Sequence, residues 1–462
     1  MQELNLGYHY PIIYWNTACL IINAGANEEL DDNKSTQYGK IAKAIANFKQ
    51  RSIIVDRPLI NEAKFSFVPD EKNNRIIFSF KGLCGIGDDI ARAIVEHQPY
   101  SSFEDFCKRM VDTKIIGTAK MIILIKAGCF NELDSPDRME TMKKFLSRNV
   151  FTPTDKLTMQ QFNSALEYDI FPKEMEIMIR IKNFKAYALH ESFFLKNIID
   201  EGKKVPKKGY HDRYFALDER GTEFLMEHFN TCIVGTKEDG VIISEKLFNK
   251  EWDALIQPLK DYMALPETLQ LYNQKKLDST MESYASGSLE QWDMESLSYY
   301  PDRHELWNLN EPKYGVVDYN SLPEIPEVYD YTTRRVRGEI KHFPKYKIFR
   351  LAGTVLDSDN NKHLVTLLTN HSVVTCKYNK GQYSYYNKRI SEQTPAGKKK
   401  VLEESWFKRG SKIIVCGYRR EDQFVIMKYP DTVYTHTTNR IEEIYNDGTI
   451  LAQTDRKKVG EG

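Results

Sequence analysis

The sequence predicts a multidomain α+β protein with a mainly helical N-terminal region, a small mixed α/β insertion and a C-terminal barrel of five β-strands. Three observations lead to this prediction. Apolar residues recur at helical spacing through the first third, a short strand-then-helix pattern follows residue 210, and five brief β-prone runs occupy the last third. We expect a helical domain at 1–135, a helical extension at 136–200, the insertion at 201–275, a helical linker at 276–333, the barrel at 334–435 and a tail at 436–462.

The first 135 residues are expected to be mainly helical. A first helix is predicted over Ile12–Ala24, because Pro11 suits the first helical position and Gly25 suits a helix end. Residues 37–50 form a second predicted helix with its apolar residues on one side. The other elements predicted here are strands at Ile53–Val55 and Ile76–Phe80 and helices at Phe103–Met110 and Lys120–Lys126.

A turn formed by Gly85, Ile86 and Gly87 lies between an apolar stretch and an amphipathic helix, which is the pattern of a helix-hairpin-helix motif. Glycine lets the loop backbone approach a ligand closely, and the amides at the start of the next helix suit a phosphate oxygen. Such a loop holds the nucleic-acid backbone without reading sequence. Lys81 and Arg92 flank the loop and are predicted to reach phosphates. The alternative is a tight turn between core helices that binds nothing.

The middle of the chain has a different pattern. Residues 136–190 are predicted as helices, and the basic run Lys203–Gly209 is expected to be a solvated linker. Residues 210–262 indicate a small α/β unit with a strand at Val241–Ser244 followed by a helix. Residues 275–290, which are rich in Ser and Tyr, are expected to form a weakly structured link.

The last third has the pattern of a Greek-key barrel. Five strands separated by turn signals, with one longer polar insertion at about 381–405, are typical of the OB-fold. This segment is also basic, since residues 334–428 contain 21 Lys and Arg against eight Asp and Glu in a chain of zero net charge. The predicted strands are Ile348–Val355, Leu364–Leu368, Ser372–Tyr378, Lys412–Tyr418 and Gln423–Lys428.

Aromatic and basic residues alternate within this barrel segment. Aromatic rings can stack on the bases of a single strand at roughly 1–3 kcal/mol each, while cations follow its phosphates. The alternative is a solvated barrel surface whose tyrosines pack into the core. The residues predicted to bind single-stranded nucleic acid are Lys377, Tyr378, Tyr383, Tyr385, Arg419 and Arg420.

Composition argues against several other classes of protein. The sequence has no apolar run of about 18 residues, so we predict no membrane-spanning helix, and the first residues do not match a signal peptide. The seven cysteines are scattered and form no C-x-x-C pair, which argues against a zinc site and against a disulfide framework. A cytoplasmic protein is therefore expected.

Motifs for catalysis are also missing. Nucleotidyl transfer by two metal ions requires carboxylates that converge on Mg²⁺. The only Asp-x-Asp sequence is Asp357-Ser358-Asp359, and the asparagines that follow it indicate a turn. The chain has no Walker A, H-E-x-x-H or G-x-S-x-G motif. We therefore predict no catalytic residue, no metal ligand and no bound cofactor in this chain.

Five segments carry a further pattern: Gly7–Pro11 ("H-Y-P"), Ser52–Phe67 ("G-I-x-V-x-x-P-x-I-N-x-S-x-x-x-F"), the strand and hairpin at Ile76–Gly87, Tyr100–Cys107 ("F-x-S-x-x-D-F-C") and Leu124–Leu133 ("L-I-K-A-G-A-F-D-x-L"). In order and spacing they resemble the family C polymerases, which are the bacterial and phage replicative DNA polymerase III alpha subunits. The barrel lies where that family has its OB domain, and Trp292–Tyr300 resembles the family's "E-x-x-x-L-G-x-Y" helix. Residues 136–280 show no resemblance, and 200–275 has the character of an insertion.

This resemblance implies the C-terminal portion of such a polymerase, comprising distal fingers, hairpin and OB regions. The family's palm, with its catalytic aspartates, lies upstream of the matched part. The resemblance thus implies duplex and single-stranded template DNA as partners, and a separate palm-bearing polypeptide that holds Mg²⁺. A sliding clamp is a further candidate partner, although no clamp-binding peptide stands out. The alternative is a non-enzymatic DNA-binding protein of replication or repair.

Overall fold

The computed structural model describes residues 11–26, 35–49, 52–195, 213–237, 240–393, 399–428 and 437–457. Residues 7–10 of the H-Y-P segment and the predicted linker at 203–209 lie outside the described residues. The chain divides into two compact units, of which one combines Met1–Met142 with Gly287–Gly462 and the other is Lys143–Ser286. The second unit is thus inserted in the sequence of the first.

The N-terminal part of the first unit is mainly helical, as predicted. Helix α1 ends where its sequence indicates, because Gly25 adopts a left-handed backbone (φ 63°). Three short strands form a sheet in the order β1-β3-β2, with β1 parallel and β2 antiparallel to β3. The elements are α1 (Ile12–Ala24), α2 (Tyr38–Lys49), β1 (Ile54–Asp56), β2 (Val68–Asp70), β3 (Arg75–Ile77), α3 (Asp88–Glu96), α4 (Phe103–Phe106) and α5 (Thr118–Lys126).

Helix α4 is shorter than predicted. The side chain of Ser102 accepts a hydrogen bond from the Asp105 amide at 3.1 Å and so caps the start of this helix. After one turn the backbone changes to a π-helical segment at Cys107–Val111. The buried side chains of Phe103, Phe106 and Met110 hold both parts against the core.

The second unit is built from helices around a three-stranded antiparallel sheet, in the order β4-β6-β5. The prediction of a weakly structured link at 275–290 is wrong for residues 275–284, because they belong to a 19-residue helix. Only Thr268, Tyr272 and Leu277 of that helix are buried, so its sequence carries little apolar periodicity. The elements are α6 (Arg138–Val150), which begins in the first unit, α7 (Phe162–Glu167), α8 (Glu176–Ala188), β4 (Tyr214–Ala216), α9 (Glu219–His228), β5 (Ile233–Lys237), β6 (Gly240–Ser244), α10 (Glu245–Leu255), α11 (Gln257–Met263) and α12 (Pro266–Tyr284).

The chain then returns to the first unit. Helices α13 (Leu289–Leu297) and α14 (Glu311–Tyr314) are followed by two long strands, β7 (Val328–Val336) and β8 (Glu339–Tyr346). These two strands pair only with each other in the described part of the chain. The helical linker predicted at 276–333 is therefore wrong for residues 328–333, which begin this ribbon.

The C-terminal barrel confirms the predicted fold class. Its five strands close in the order β9-β10-β11-β15-β14, because β15 pairs in parallel with β11 and β14 pairs antiparallel with both β15 and β9. Alternate residues such as Val365, Val374 and Val415 fill the interior. The strands are β9 (Phe349–Asp359), β10 (Leu364–Leu368), β11 (Val373–Lys377), β14 (Lys412–Arg420) and β15 (Gln423–Ile426).

The barrel carries two additions. The predicted polar insertion contains helix α15 (Lys380–Asn387) and the hairpin β12 (Ile390–Gln393) and β13 (Lys399–Glu403). Two further strands, β16 (Thr438–Ile444) and β17 (Ile450–Gln453), extend the barrel sheet from β14. The predicted tail therefore contains two strands of the sheet.

Arg456 joins the end of the chain to this barrel. Its Nε donates to Glu403 at 2.8 Å, and both side chains are only 2% exposed. The guanidinium also donates to the carbonyls of Tyr385, Tyr386, Lys388 and Glu404. The other Glu403 oxygen accepts from the Trp406 indole at 2.6 Å. This buried pair is thus satisfied on both sides.

We predict that Arg456→Met lowers the free energy of unfolding by about 3–5 kcal/mol, because it leaves the Glu403 carboxylate buried and unpaired. Lys428→Met, at an exposed position on the same barrel, should change it by less than about 0.5 kcal/mol. Denaturant unfolding of the whole chain measures both. Equal effects of the two variants would show that the Arg456 pair does not stabilise the barrel.

Candidate nucleic-acid interface

The Gly85–Gly87 loop is the first part of the candidate interface. Gly85 has φ 85°, a left-handed conformation that favours glycine, and the buried Ile86 side chain anchors the loop. Gly87 occupies the N-cap position of helix α3, so no side chain caps the first amides of the helix. A Cβ at Gly87 would meet no atom within 4 Å. The start of α3 is therefore open to a ligand, as a phosphate-binding loop requires.

Helix α13 supports this loop from behind. The Cys84 amide donates to the Ser296 carbonyl at 2.8 Å, and the Cys84 Sγ lies 2.9 Å from the Ser298 hydroxyl. Burial raises the pKa of the Cys84 thiol, and the charge of Arg409 only partly opposes this effect. Cys84 is therefore a neutral packing residue, and the loop conformation depends on a helix more than 200 residues later in the chain.

Helix α13 is itself held by one carboxylate. Asp293, 4% exposed, accepts two hydrogen bonds from Arg57, at 2.6 and 2.9 Å, and a third from Arg138 at 2.5 Å. Burial opposes the charged form of both arginines. At Arg57 the bonds to Asp293 outweigh burial and raise the pKa, whereas at Arg138 burial prevails and lowers the pKa. The single negative charge of Asp293 is thus shared between two guanidinium groups, of which Arg57 also pairs with Asp302.

The two cations predicted beside the loop are engaged within the protein. Lys81 forms an ion pair with Asp88 in the first turn of α3. The Arg92 guanidinium lies 4.1 Å from the centroid of the Phe65 ring. Since Asp88 and Asp89 place negative charge at the helix start, the Lys81 pair neutralises part of a field that would oppose a phosphate.

Another cation and a second helix start lie outside the set of predicted site residues. Lys120 of α5 donates to the Gly85 carbonyl at 2.5 Å. Gly117, which caps α5, has φ −84° and ψ 164°, almost the same as the −83° and 165° of Gly87, and is equally open. The signal was in the sequence, because an Ile-Gly pair directly precedes a helix at both positions, Ile86-Gly87 and Ile116-Gly117.

Two of the predicted barrel residues cannot stack on bases in this structure. Tyr378 is 1% exposed and bonds the Thr438 hydroxyl, and Tyr383 is 3% exposed and bonds Asn360. Both rings pack on Phe407 in the barrel core. The prediction of base stacking is therefore wrong for these two residues, because an alternation of rings and cations fits a core equally well.

The other four predicted residues lie at the barrel surface or near it. Lys377 donates to the Lys362 carbonyl, and Arg419 bonds the Leu322 carbonyl and Glu324 while lying over Tyr319. These two cations hold neighbouring segments. Tyr385 and Arg420 are exposed. They remain candidates for contact with a nucleic acid.

The Asp-x-Asp sequence does not fit a metal site. Asp357 and Asp359 lie at the end of β9 and not in a turn, because that strand runs four residues further than predicted. Asp359 accepts the amides of Asn361 and Lys362 at 2.9 Å each, which caps the following turn. Across the described residues, no group of three or more His, Cys, Asp or Glu side chains could hold a metal ion.

Comparison with known proteins agrees with these features. Residues 52–140 match the model of the helix-hairpin-helix motif. Over 470 aligned residues, 99% of this chain is 40% identical to a probable DNA polymerase of Bacillus subtilis and to a DNA-directed DNA polymerase of Bacillus phage SPbeta. The chain is similar along nearly its whole length to proteins named as DNA polymerases. It spans about a third (34%) of the length of these two curated relatives. No helix among the described residues is long and apolar enough to cross a membrane.

We predict that Asp293→Asn lowers the free energy of unfolding by about 3 kcal/mol or more, because two buried guanidinium groups lose their carboxylate. Asp302→Asn is the matched control, since Asp302 bonds the same Arg57 at 2.8 Å but is 77% exposed. It should cost at most about 1 kcal/mol. Thermal and denaturant unfolding measure both variants, and similar losses would contradict the central role of Asp293.

Proposed function

We propose that this chain forms the C-terminal part of a family C replicative DNA polymerase of the polymerase III alpha type. In this proposal it binds duplex and single-stranded template DNA, and a separate palm-bearing polypeptide carries the catalytic site. The observation that carries the proposal is the 40% identity, along 99% of this chain, to one third of two proteins named DNA polymerase. The helix-hairpin-helix motif and the OB-type barrel support it.

The hairpin loop would bind duplex DNA. Helix α3 begins directly after Gly87, which has no side chain to cover the first amides of the helix, so these amides can donate to a phosphate oxygen. These contacts fix the position of the duplex without selecting a sequence, as a replicative enzyme requires. Lys81 would contribute mainly by neutralising Asp88, and Lys120 by fixing the Gly85 carbonyl.

The barrel would bind the single-stranded template. OB barrels commonly bind single strands through exposed rings and a basic surface. Tyr385 and Arg420 are the exposed members of the predicted set, whereas Tyr378 and Tyr383 shape the barrel from inside. The contribution of each exposed ring would be roughly 1–3 kcal/mol per stacked base.

Catalysis would belong to the assembled enzyme, which adds nucleotides on a DNA template with Mg²⁺ held by the partner's carboxylates. The residues described here do not fit that ion, so no chemical step is assigned to them. A sliding clamp is a further candidate partner. The site of action would be the cytoplasm of a bacterium or a phage-infected cell.

The proposal predicts that this chain alone does not extend a primer, and that a mixture with its palm-bearing partner polypeptide does. Primer extension with Mg²⁺ and four deoxynucleotides measures both. Synthesis by this chain alone would place catalytic residues within it and refute the division of labour. DNA binding without synthesis in the mixture would favour the non-enzymatic accessory protein instead.

The hairpin assignment predicts that Gly87→Glu weakens duplex binding about tenfold or more, because a carboxylate would occupy the phosphate position. Gly87 is better suited to this test than Gly85, whose left-handed backbone makes any substitution strained. Gly87→Gln, which has the same size without the charge, should bind more tightly than Gly87→Glu. Unchanged binding of both variants, in an anisotropy titration with duplex DNA, would show that the loop is only a structural turn.

A further inference from the structure

Strands β7 and β8 form an antiparallel ribbon that is exposed on both faces. Its residues pair from Val328 opposite Tyr346 to Val336 opposite Glu339, a length of roughly 25–30 Å. Large side chains along it remain in solvent, including Tyr331 (60% exposed) and Ile340 (68% exposed). A two-stranded ribbon without a covered face is marginally stable by itself. We call Val328–Tyr346 the basic ribbon.

The ribbon is attached to the barrel at its base. The Tyr346 ring packs on Tyr418 with centroids 4.5 Å apart, and the Lys347 amide bonds the Glu327 carbonyl at 2.9 Å. Beyond this base, pairing with another strand is absent among the described residues. The ribbon is therefore held against the barrel at one end, and the rest of it is surrounded by solvent.

Cations lie on both faces of the outer part. Arg334 and Lys341 are directly opposite each other, which places two like charges side by side and destabilises the pairing. The next pair, Arg335 and Ile340, points to the other face because side chains alternate along a strand. The Lys341 ammonium lies 3.8 Å from the Glu339 carboxylate, whereas no carboxylate among the described residues lies within 4.0 Å of the Arg334 or Arg335 guanidinium. Local pairing thus does not account for the charges of the two arginines.

The tip of the ribbon adds a further cation at an unfavourable backbone position. Arg337 and Gly338 join the strands with φ 53° and 89°, the two positive angles of a type I′ turn. The first of these positions favours Asn, Asp or Gly, and an arginine there costs free energy. The turn therefore carries a charge at the expense of its own stability.

We propose that the basic ribbon is a DNA-binding arm that enters the major groove of duplex DNA and contacts phosphates on both walls. The major groove is about 12 Å wide and admits a two-stranded β-ribbon. Cations on opposite faces and at the tip suit a position between two rows of phosphates, whereas a ribbon lying flat on one surface would use a single face. Contacts of this kind give affinity without sequence selection.

The proposal rests on the proposed function insofar as the chain binds duplex DNA, and adds a contact separate from the hairpin loop and the barrel. Its variant is R334Q/R335Q/R337Q/K341Q in the full chain. The matched control is K156Q/K173Q/K250Q/K275Q, which removes four exposed lysines from the second unit and changes the net charge equally.

The measurement is the affinity for a 30-base-pair duplex and for a 30-base single strand over a range of salt concentrations. For the duplex, the slope of log K against log salt should be about 3 to 4 units less steep in the ribbon variant than in the wild type, because each phosphate contact contributes about 0.9 to its magnitude. The affinity of this variant for the duplex should be at least tenfold lower. The control should keep the wild-type slope within one unit.

A second variant separates binding from folding. R337N removes the tip charge but supplies a residue that the turn prefers, so its melting temperature should equal or exceed that of the wild type while the duplex slope falls by about one. A ribbon variant that binds duplex like the control, or that loses more affinity for the single strand than for the duplex, overturns the proposal. If the wild type does not bind duplex DNA, the proposed function is refuted as well. If the wild type binds and the ribbon variant binds equally well, only the proposal of a DNA-binding arm is refuted.

Discussion

The first unit depends on one buried carboxylate that faces two guanidinium groups. Asp293 receives Arg57 from the region after β1 and Arg138 from the start of α6, so residues separated by more than 150 positions meet at one point. Two buried arginines without this acid would repel each other in a medium of low polarity. The same helix and the residue that ends it then supply Ser296 and Ser298 to the hairpin loop. The return of the chain after the second unit is thus required for the shape of the loop.

In the proposed function, the hairpin loop would hold an anion through its backbone more than through its side chains. Gly85 makes the turn and Gly87 leaves the helix start open, while Lys81 is directed inward to Asp88. The affinity for a phosphate would then come more from the fixed backbone amides than from a mobile lysine side chain. Fixed amides lose little conformational entropy on binding. The almost identical caps at Gly87 and Gly117 indicate that the same local solution occurs twice within one motif.

The sequence predicted what local patterns determine. The end of α1 at Gly25 and the five barrel strands follow from glycine conformation and from alternation of apolar residues. Contacts between distant residues could not be read in this way. Arg456 has the appearance of a residue in a polar tail because its partner, Glu403, lies 53 positions away. Tyr378 and Tyr383 alternate with cations whether their rings face a groove or the core, and only the folded barrel distinguishes the two.

The structure shows which of the cations in 334–428 are paired within the protein and which are not. Several of these residues hold the fold: Lys412 pairs with Glu305, Arg419 with Glu324, and Arg409 lies over Tyr38. A charge that already has an acid or a ring beside it attracts a phosphate weakly, since binding must first compete with that partner. Arg334, Arg335 and Arg337, in contrast, have no carboxylate within ion-pair distance in the described part of the chain. Electrostatic attraction of a nucleic acid is therefore expected less at the barrel surface, where the sequence predicts it, and more at the ribbon that precedes the barrel.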